Sequence, residues 1–481
     1  MSHHTKQLIT QSKTAKPLFR FASKEAYIAW LADAPQHWRN WLDAHNFADH
    51  FAGNTPQGNT RMCLPLPDEA GRIAGAIMHD SADDLTSGGR AKNLPEGEYY
   101  CHDLGGEASK NIGLFALGWA LAGYRYQHPK KDQPSTATAA KLVVADSNVL
   151  RYATTLATAT SLVRDLINTP ANIMTPEGLE HAACSLGEAF SANIKIIKGE
   201  TLAKNFPAIH AVGRSAEIPP RLIELNWQAD KPPKGNQKKV CPRITLIGKG
   251  VTFDSGGLNV KPASSMLLMK KDMGGAAHVL GVAQAIMSLG LDIELRVLIA
   301  AAENAISSRA MRPLDIIQTA AGIPVEIGHT DAEGRLLLAD MLYHASQTEN
   351  DLLLDFATLT GAARIALGTD LPALFTNDDS LAISLLAHAQ QTHDPLWRLP
   401  LHAPYAKQLQ TTSHALSSTG SSHYGGAITA ALFLEKFLAT PQKWAHIDVM
   451  AWNVTARPAR PIGGEAMGLR AVLSLIAEMA Q

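Results

Sequence analysis

Between about residues 194 and 449, short apolar runs alternate with Ala- and Leu-rich helical stretches, and this alternation most narrows the folds open to the chain. The runs 194–197, 222–225, 244–247, 295–299, 325–327, 352–356 and 447–449 are strands by length and composition. The segments 275–289 and 335–347 between them read as helices. Such alternation specifies an α/β domain with a mostly parallel central sheet flanked by helices. Residues 1–145, with Trp30, Trp38, Trp41 and Trp119, are assigned to a smaller N-terminal α/β domain with an assembly or regulatory role, and residues 146–481 to the larger domain. The polar, Pro-containing stretch 128–136 reads as a linker or surface loop, 142–144 as a strand, and 148–167 as a long helix bridging the two parts.

Several function classes are disfavoured. A formal net charge of -1 gives no global field toward nucleic acid or anionic lipid. The Lys- and Pro-rich segment 230–243 reads as a solvated loop. The first twenty residues are broken by Lys6, Lys13, Lys16 and Pro17, with no apolar core of a leader peptide. The apolar stretch 114–124 is too short to span a bilayer. Cys63, Cys101, Cys184 and Cys241 are scattered and form no C-x-x-C pair. A reduced, cytoplasmic protein is expected.

Chemistry concentrates at three apparent strand ends. The 244–247 run leads into Gly248-Lys249-Gly250-Val251-Thr252-Phe253-Asp254-Ser255-Gly256-Gly257. The 325–327 run leads into Thr330-Asp331-Ala332-Glu333-Gly334-Arg335-Leu336, and the 352–356 run into Thr358-Leu359-Thr360-Gly361-Ala362. In open α/β sheets, ligands bind outside the carboxyl ends of strands, so the three loops can converge. Singly, each has an ordinary explanation. Thr330 to Glu333 fits a capping box. The 248–257 segment fits a Gly-rich turn. Lys270-Lys271-Asp272 fits a solvated helix start. Together, Asp254, Asp272, Asp331 and Glu333 place four like charges in one crevice, an arrangement that bound divalent cations stabilise. Two such cations can activate a water and polarise a carbonyl at once. Rival templates are absent. There is no H-E-x-x-H and no G-x-S-x-G; G-x-G-x-x-G fails at Phe253, and Walker A fails because Gly250 follows Lys249.

On these segments, with Lys261-Pro262, Met266-x-x-Met269-Lys270-x-Asp272-Met273-Gly274-Gly275 and Arg164-Asp165-Leu166-x-Asn168-x-Pro170, the chain resembles the leucine aminopeptidase (cytosol aminopeptidase) family over roughly residues 145–455. The resemblance implies a dinuclear metallo-exopeptidase that removes N-terminal residues, preferably Leu- or Met-like, from peptides, using a water bridging two metals. It implies that Asp254 and Glu333 bridge two divalent ions, zinc or manganese. Lys249 and Asp272 would complete the tightly held site and Asp331 the exchangeable one. As a ligand Lys249 must be neutral, although a free lysine titrates near ~10.4. Lys261 would polarise the scissile carbonyl, and Arg335 would hold a bicarbonate that relays a proton. Met269, Thr358, Leu359 and Gly361 would contact substrate. Peptide substrates and a homohexamer are the implied partners, with no membrane or nucleic acid. Three departures from the family pattern stand out: His329 in place of the usual Asn, Met450 in place of a small residue, and Gly463-Gly464-Glu465-Ala466-Met467-Gly468 in place of a Gly-x-Thr-Gly turn. The alternatives are a catalytically weak or silent hexameric scaffold of the same fold, or another two-metal hydrolase.

Overall fold

The computed structural model describes residues 5–51, 63–80, 83–102, 111–127, 140–229 and 241–481. The expected linker at 128–136 lies outside them, as does the 230–240 part of the basic loop. The chain divides into two compact units, Met1–Ser161 with Thr455–Ile462, and Leu162–Val454 with Gly463–Gln481. The helix Ser147–Asn168 contains the division between them.

In the first unit six strands are ordered Leu8–Ile9, Ala140–Val143, Gly97–His102, Lys16–Phe21, Ile73–His79, Cys63–Pro67. Neighbours are parallel except the last pair. Phe19 and Phe21 point from one face into a cluster with Tyr27, Leu42 and Phe47. Trp38 and Trp41 donate their indole N–H groups to Pro67 O (2.6 Å) and Pro65 O (3.0 Å), tying the helix Gln36–Ala44 to the edge strand. Arg20, on the other face of its strand, is buried with Asp80 and Asp84 and lies 3.8 Å from the Phe115 ring centre.

The second unit carries an eight-stranded sheet ordered Trp397–Arg398, Ala373–Thr376, Trp444–Asp448, Leu352–Ala357, Arg243–Asp254, Glu294–Asn304, Arg221–Gln228, Asn193–Lys198. Its four central strands are parallel. The Ala373 strand and the pair at the Asn193 edge run antiparallel to their inner neighbours. Two strand expectations need correction. The run expected to end at Ile247 continues to Asp254, because Gly248 serves close packing rather than a turn: a Cβ there would lie 2.6 Å from Ala276 Cα. The 325–327 run does not join the central sheet. Val325–Glu326 pairs with Ile316–Ile317 and Leu416–Ser417 in a separate three-stranded sheet, and Pro324 beside it has no N–H to extend a central ladder.

Strand alternation decides which helix covers which face. Ile247 and Val251 share a cluster with Leu336, Leu337 and Met341 of the helix Gly334–Ser346. Gly248, one residue out of phase, abuts Ala276 and Val279 of the helix Gly274–Leu289. The two helices therefore cover opposite faces, and Lys249 projects toward Gly334. No described helix is long and apolar enough to cross a membrane.

The Gly334 helix is anchored by Asp340, whose carboxylate accepts from Ala208 N (2.9 Å), Ile209 N (3.2 Å) and Ala320 N (2.7 Å). Burial outweighs those three donors and raises its pKa to about 7. A folded-state value above the unfolded one means stability that is complete below the unfolded value and lost as pH rises through about 7. Asp340→Asn removes this titration. Its melting temperature, measured against wild type, is expected to gain several degrees between pH 5 and 8, since ~1 kcal/mol moves a large domain by about 2–4 °C. A difference that stays flat over that range would place the titration elsewhere.

Candidate metal centre and cleft

Every site residue singled out in the sequence lines one cleft of 810 Å³: Lys249, Asp254, Lys261, Met269, Asp272, Asp331, Glu333, Arg335, Thr358, Leu359 and Gly361. The cleft lies where the central strands end. Lys249 and Asp254 come from the Arg243 strand, and Thr358 to Gly361 follow the Leu352 strand. Asp272 lies in a tight turn, Met269–Met273, in front of the Gly274 helix. Glu333 sits at the start of the Gly334 helix without making a side-chain cap, so the capping-box reading fails and its carboxylate turns into the cleft.

The loops are joined by specific bonds. Asn259 N donates to Thr330 Oγ1 (2.8 Å), Thr330 N donates to Asn259 Oδ1 (2.9 Å), and Thr330 Oγ1 donates to Gly256 O (2.6 Å). This fixes the Asp254–Lys261 loop against the Asp331–Glu333 turn. Two glycines permit close approach: a Cβ on Gly334 would lie 2.7 Å from Lys249 Nζ, and one on Gly275 2.1 Å from Phe356 O.

Within this frame, Asp254, Asp272 and Glu333 each present an oxygen, all within 4.8 Å of one another and all buried. Lys249 Nζ lies 2.9 Å from Asp272 Oδ2 and 3.0 Å from Glu333 Oε1, and donates to Thr358 O at 3.0 Å. Lys261 Nζ lies 2.8 Å from Asp254 Oδ2 and also pairs with Asp331. Arg335 is buried, donates to Ser418 O (2.6 Å), and leaves its Nε without a hydrogen-bond partner among the described residues. Glu333 Oε2 is likewise buried and unpartnered.

Burial and mutual repulsion raise the carboxylate pKa values: Glu333 to about 8, Asp331 to about 6, and Asp272 above its usual range. Burial alone would favour the neutral amine of Lys249, but Asp272, Glu333 and Asp254 outweigh it and raise its pKa. Lys261 is raised in the same way by Asp254 and Asp331. Lys271 goes the other way, lowered to about 8 by burial, and stays largely cationic at neutral pH.

Some supporting residues were not singled out in the sequence. Asn304 donates to Asp254 Oδ1 (2.8 Å) and Thr330 O (3.1 Å). A break in register between Ala302 and Asn304 re-aims that side chain. Thr358, which the sequence did single out, also serves as a support: its Oγ1 donates to Asp272 Oδ1 at 2.7 Å. Asp448 accepts from Leu359 N (2.9 Å), Thr360 N (3.1 Å) and Thr360 Oγ1 (2.7 Å), and so sets the path of the Thr358–Gly361 segment. The three departures also have places. His329 Nδ1 accepts from Asp331 N (3.2 Å), steadying that turn. Met450 is buried yet lines the cleft. Glu465 forms a buried pair with Arg164 at 3.0 Å, which ties the altered turn to the Arg164 segment.

Comparison with known proteins gives the family of the chain. The cytosol aminopeptidase family, catalytic domain, matches residues 161–473. A "Probable cytosol aminopeptidase" of Aquifex aeolicus is 38% identical over 379 residues, 77% of this chain and 75% of that protein. One of Chlorobium limicola is 40% identical over 318 residues, 66% of this chain; the matched part spans 62% of that relative's length. Among solved structures, the cytosol aminopeptidase from Coxiella burnetii superposes with a TM-score of 0.89 at 41% identity, covering 99% of this chain and 100% of that one. The bottromycin maturation enzyme BotP in complex with Mn gives 0.82 at 28% identity, covering 97% and 100%. The family match takes in well over half of the sequence, and the chain belongs to the cytosol aminopeptidase family.

Proposed function

We propose that the protein is a metal-dependent leucyl-type aminopeptidase, a hydrolase that removes the N-terminal residue, Leu- or Met-like by preference, from peptides. The observation that carries this reading is the convergence of Asp254, Asp272 and Glu333 oxygens within 4.8 Å, beside the Lys249 amine. These donors fit divalent cations. Buried carboxylate oxygens with one amine suit zinc or manganese, and Glu333 Oε2 offers an unused lone pair. The Mn-bound BotP structure supports a divalent ion on this fold. Asp254 and Glu333 would be shared by two ions, with Lys249 and Asp272 on one and Asp331 on the other. When bound, such a pair supplies an activated water and polarises the scissile carbonyl.

The chain's own groups do the rest. In hydrolysis a water oxygen bonds to the carbonyl carbon, the C–N bond breaks, and a proton passes to the departing amine. Lys261 donates to the carbonyl oxygen as negative charge develops there. Arg335, whose Nε has no partner among the described residues, would hold a bicarbonate, which when bound would supply a proton relay. Met269, Thr358, Leu359 and Gly361 line the first residue of the substrate. A homohexamer in the cytoplasm, with peptides as substrates, completes the reading.

The test is a panel of aminoacyl-p-nitroanilides with metal-stripped protein, before and after Mn²⁺ or Zn²⁺ is restored. Metal-dependent release from Leu and Met substrates, and none from their N-acetyl forms, is expected. No release from folded, metal-loaded protein would favour the silent scaffold instead.

A further inference from the structure

Besides Arg335, which donates to Ser418 O, two cations of the cleft have no carboxylate partner among the described residues. Lys271 is 3% exposed and lines the cleft, yet among the described residues its side chain makes no ion pair and no hydrogen bond. Arg364, exposed on the helix Gly361–Leu367, also forms no ion pair among them. Its guanidinium lies over the cleft wall, with one nitrogen 3.6 Å from Met450 Sδ and the other 3.5 Å from where a Cβ on Gly361 would sit. The acidic groups nearest Lys271 are committed elsewhere. Asp272 is held by Lys249 and Thr358, and Asp448 by the amides of Leu359 and Thr360 and the Thr360 hydroxyl. An ammonium buried without a partner is strongly disfavoured, and a pocket built only for aliphatic side chains would be better served by an apolar residue at this position. The unmatched charge calls for an anion that arrives with the substrate.

The order of groups along the cleft says which anion. Asp331, Lys261 and Asp254 form one linked set, and Glu333, Lys249, Asp272 and Thr358 form the next. Lys271 adjoins Asp272, and Arg364 lies over Gly361, three residues beyond Thr358. If the α-amine sits at the carboxylates and the scissile carbonyl at Lys261, the first side chain is the part of the substrate that reaches past Asp272 toward Lys271. The rest of the peptide leaves on the Lys261 side, so its C-terminal carboxylate is the wrong anion for this place. We propose that Lys271, with Arg364 at the rim, forms a subsite for the side-chain carboxylate of an N-terminal glutamate or aspartate, making acidic N-termini a substrate class of this enzyme. Glutamate fits better than aspartate, because its two methylenes run along Met269 and Met450 before the carboxylate reaches the ammonium. The same walls take leucine or methionine. This rests on the aminopeptidase reading of the site.

The experiment compares kcat/KM for Glu-Ala and the isosteric Gln-Ala with metal-loaded wild type, Lys271→Met and Arg364→Met. A charge-assisted bond predicts a Glu/Gln ratio of about 10 or more in wild type. Lys271→Met should bring the ratio to about 1, and Arg364→Met should lower it about threefold. The ratio is taken within each protein, so partial metal loss or misfolding divides out, and a merely structural role for Lys271 would leave it unchanged. Inhibition of wild type by free L-glutamate against L-glutamine gives a second reading that needs no variant, with glutamate expected to bind about tenfold tighter. Leu-Ala cleavage without Glu/Gln discrimination, or discrimination that survives Lys271→Met, overturns the subsite alone. No cleavage of Leu-Ala, Met-Ala, Gln-Ala or Glu-Ala overturns the aminopeptidase reading, and the subsite with it.

Discussion

Glu333→Ala is expected to lower kcat/KM by at least about 10³-fold and to reduce the divalent ions retained per chain, while the protein stays folded. Glu333 is buried, 3.0 Å from Lys249 Nζ, and its second oxygen has no hydrogen-bond partner among the described residues. It is the residue on which a shared-ligand arrangement most depends. Its loss should also have a signature without metal. Burial, and then the Asp254 charge, raise the Glu333 pKa to about 8. In chelator the wild type therefore holds this group's stability below the unfolded carboxylate range and loses it as pH rises through about 8. The variant lacks that loss, so its melting temperature in chelator should gain on wild type from pH 5 to pH 9. Metal analysis, peptide hydrolysis and thermal melts in chelator give the three readings. A variant with near-normal kcat and metal content would remove Glu333 from the centre of the mechanism.

How much of this was legible in the sequence depends on the range of the interaction. The parallel core of the second unit was legible, because strands such as 295–299 and 352–356 are short, mostly apolar runs, each broken by one charged residue (Arg296, Asp355), between helical ones. The antiparallel edges were not. The Arg221 strand is buried on both faces, like the central ones, and direction leaves no trace in such a pattern. The eleven site residues were legible because their types and spacings are unusual, and the structure gathers them into one cleft. What holds them was hidden. Asn304 reaches Asp254 from a neighbouring strand through a register break, and Asp448 reaches Leu359 from 89 positions away. The misplaced Val325 strand has the same origin: a two-residue ladder takes whichever edge the fold brings beside it, and here that is Leu416–Ser417. Lys271 read as a solvated charge because its neighbours Lys270 and Asp272 are charged; burial sets it apart from Lys270, and the lack of a partner sets it apart from the equally buried Asp272.

Lys261→Ala is expected to cut kcat by about 10²–10³-fold, the usual cost of losing one donor to a developing oxyanion, with KM changing little. Its predicted effect on metal runs opposite to that of Glu333→Ala. Lys261 is a cation paired with Asp254 and Asp331, two of the carboxylates assigned to the ions. Removing it takes away a competing positive charge, so the ions should be held as tightly as before or more tightly. The two variants thus separate two roles that activity alone confounds, since both are nearly inactive and only one loses its metals. Steady-state kinetics beside a Mn²⁺ titration read both quantities on the same preparation. If Lys261→Ala instead released the ions, its contacts to Asp254 and Asp331 would be its purpose. Lys261 would then position the ligands, and stabilisation of the oxyanion would fall to the ions alone.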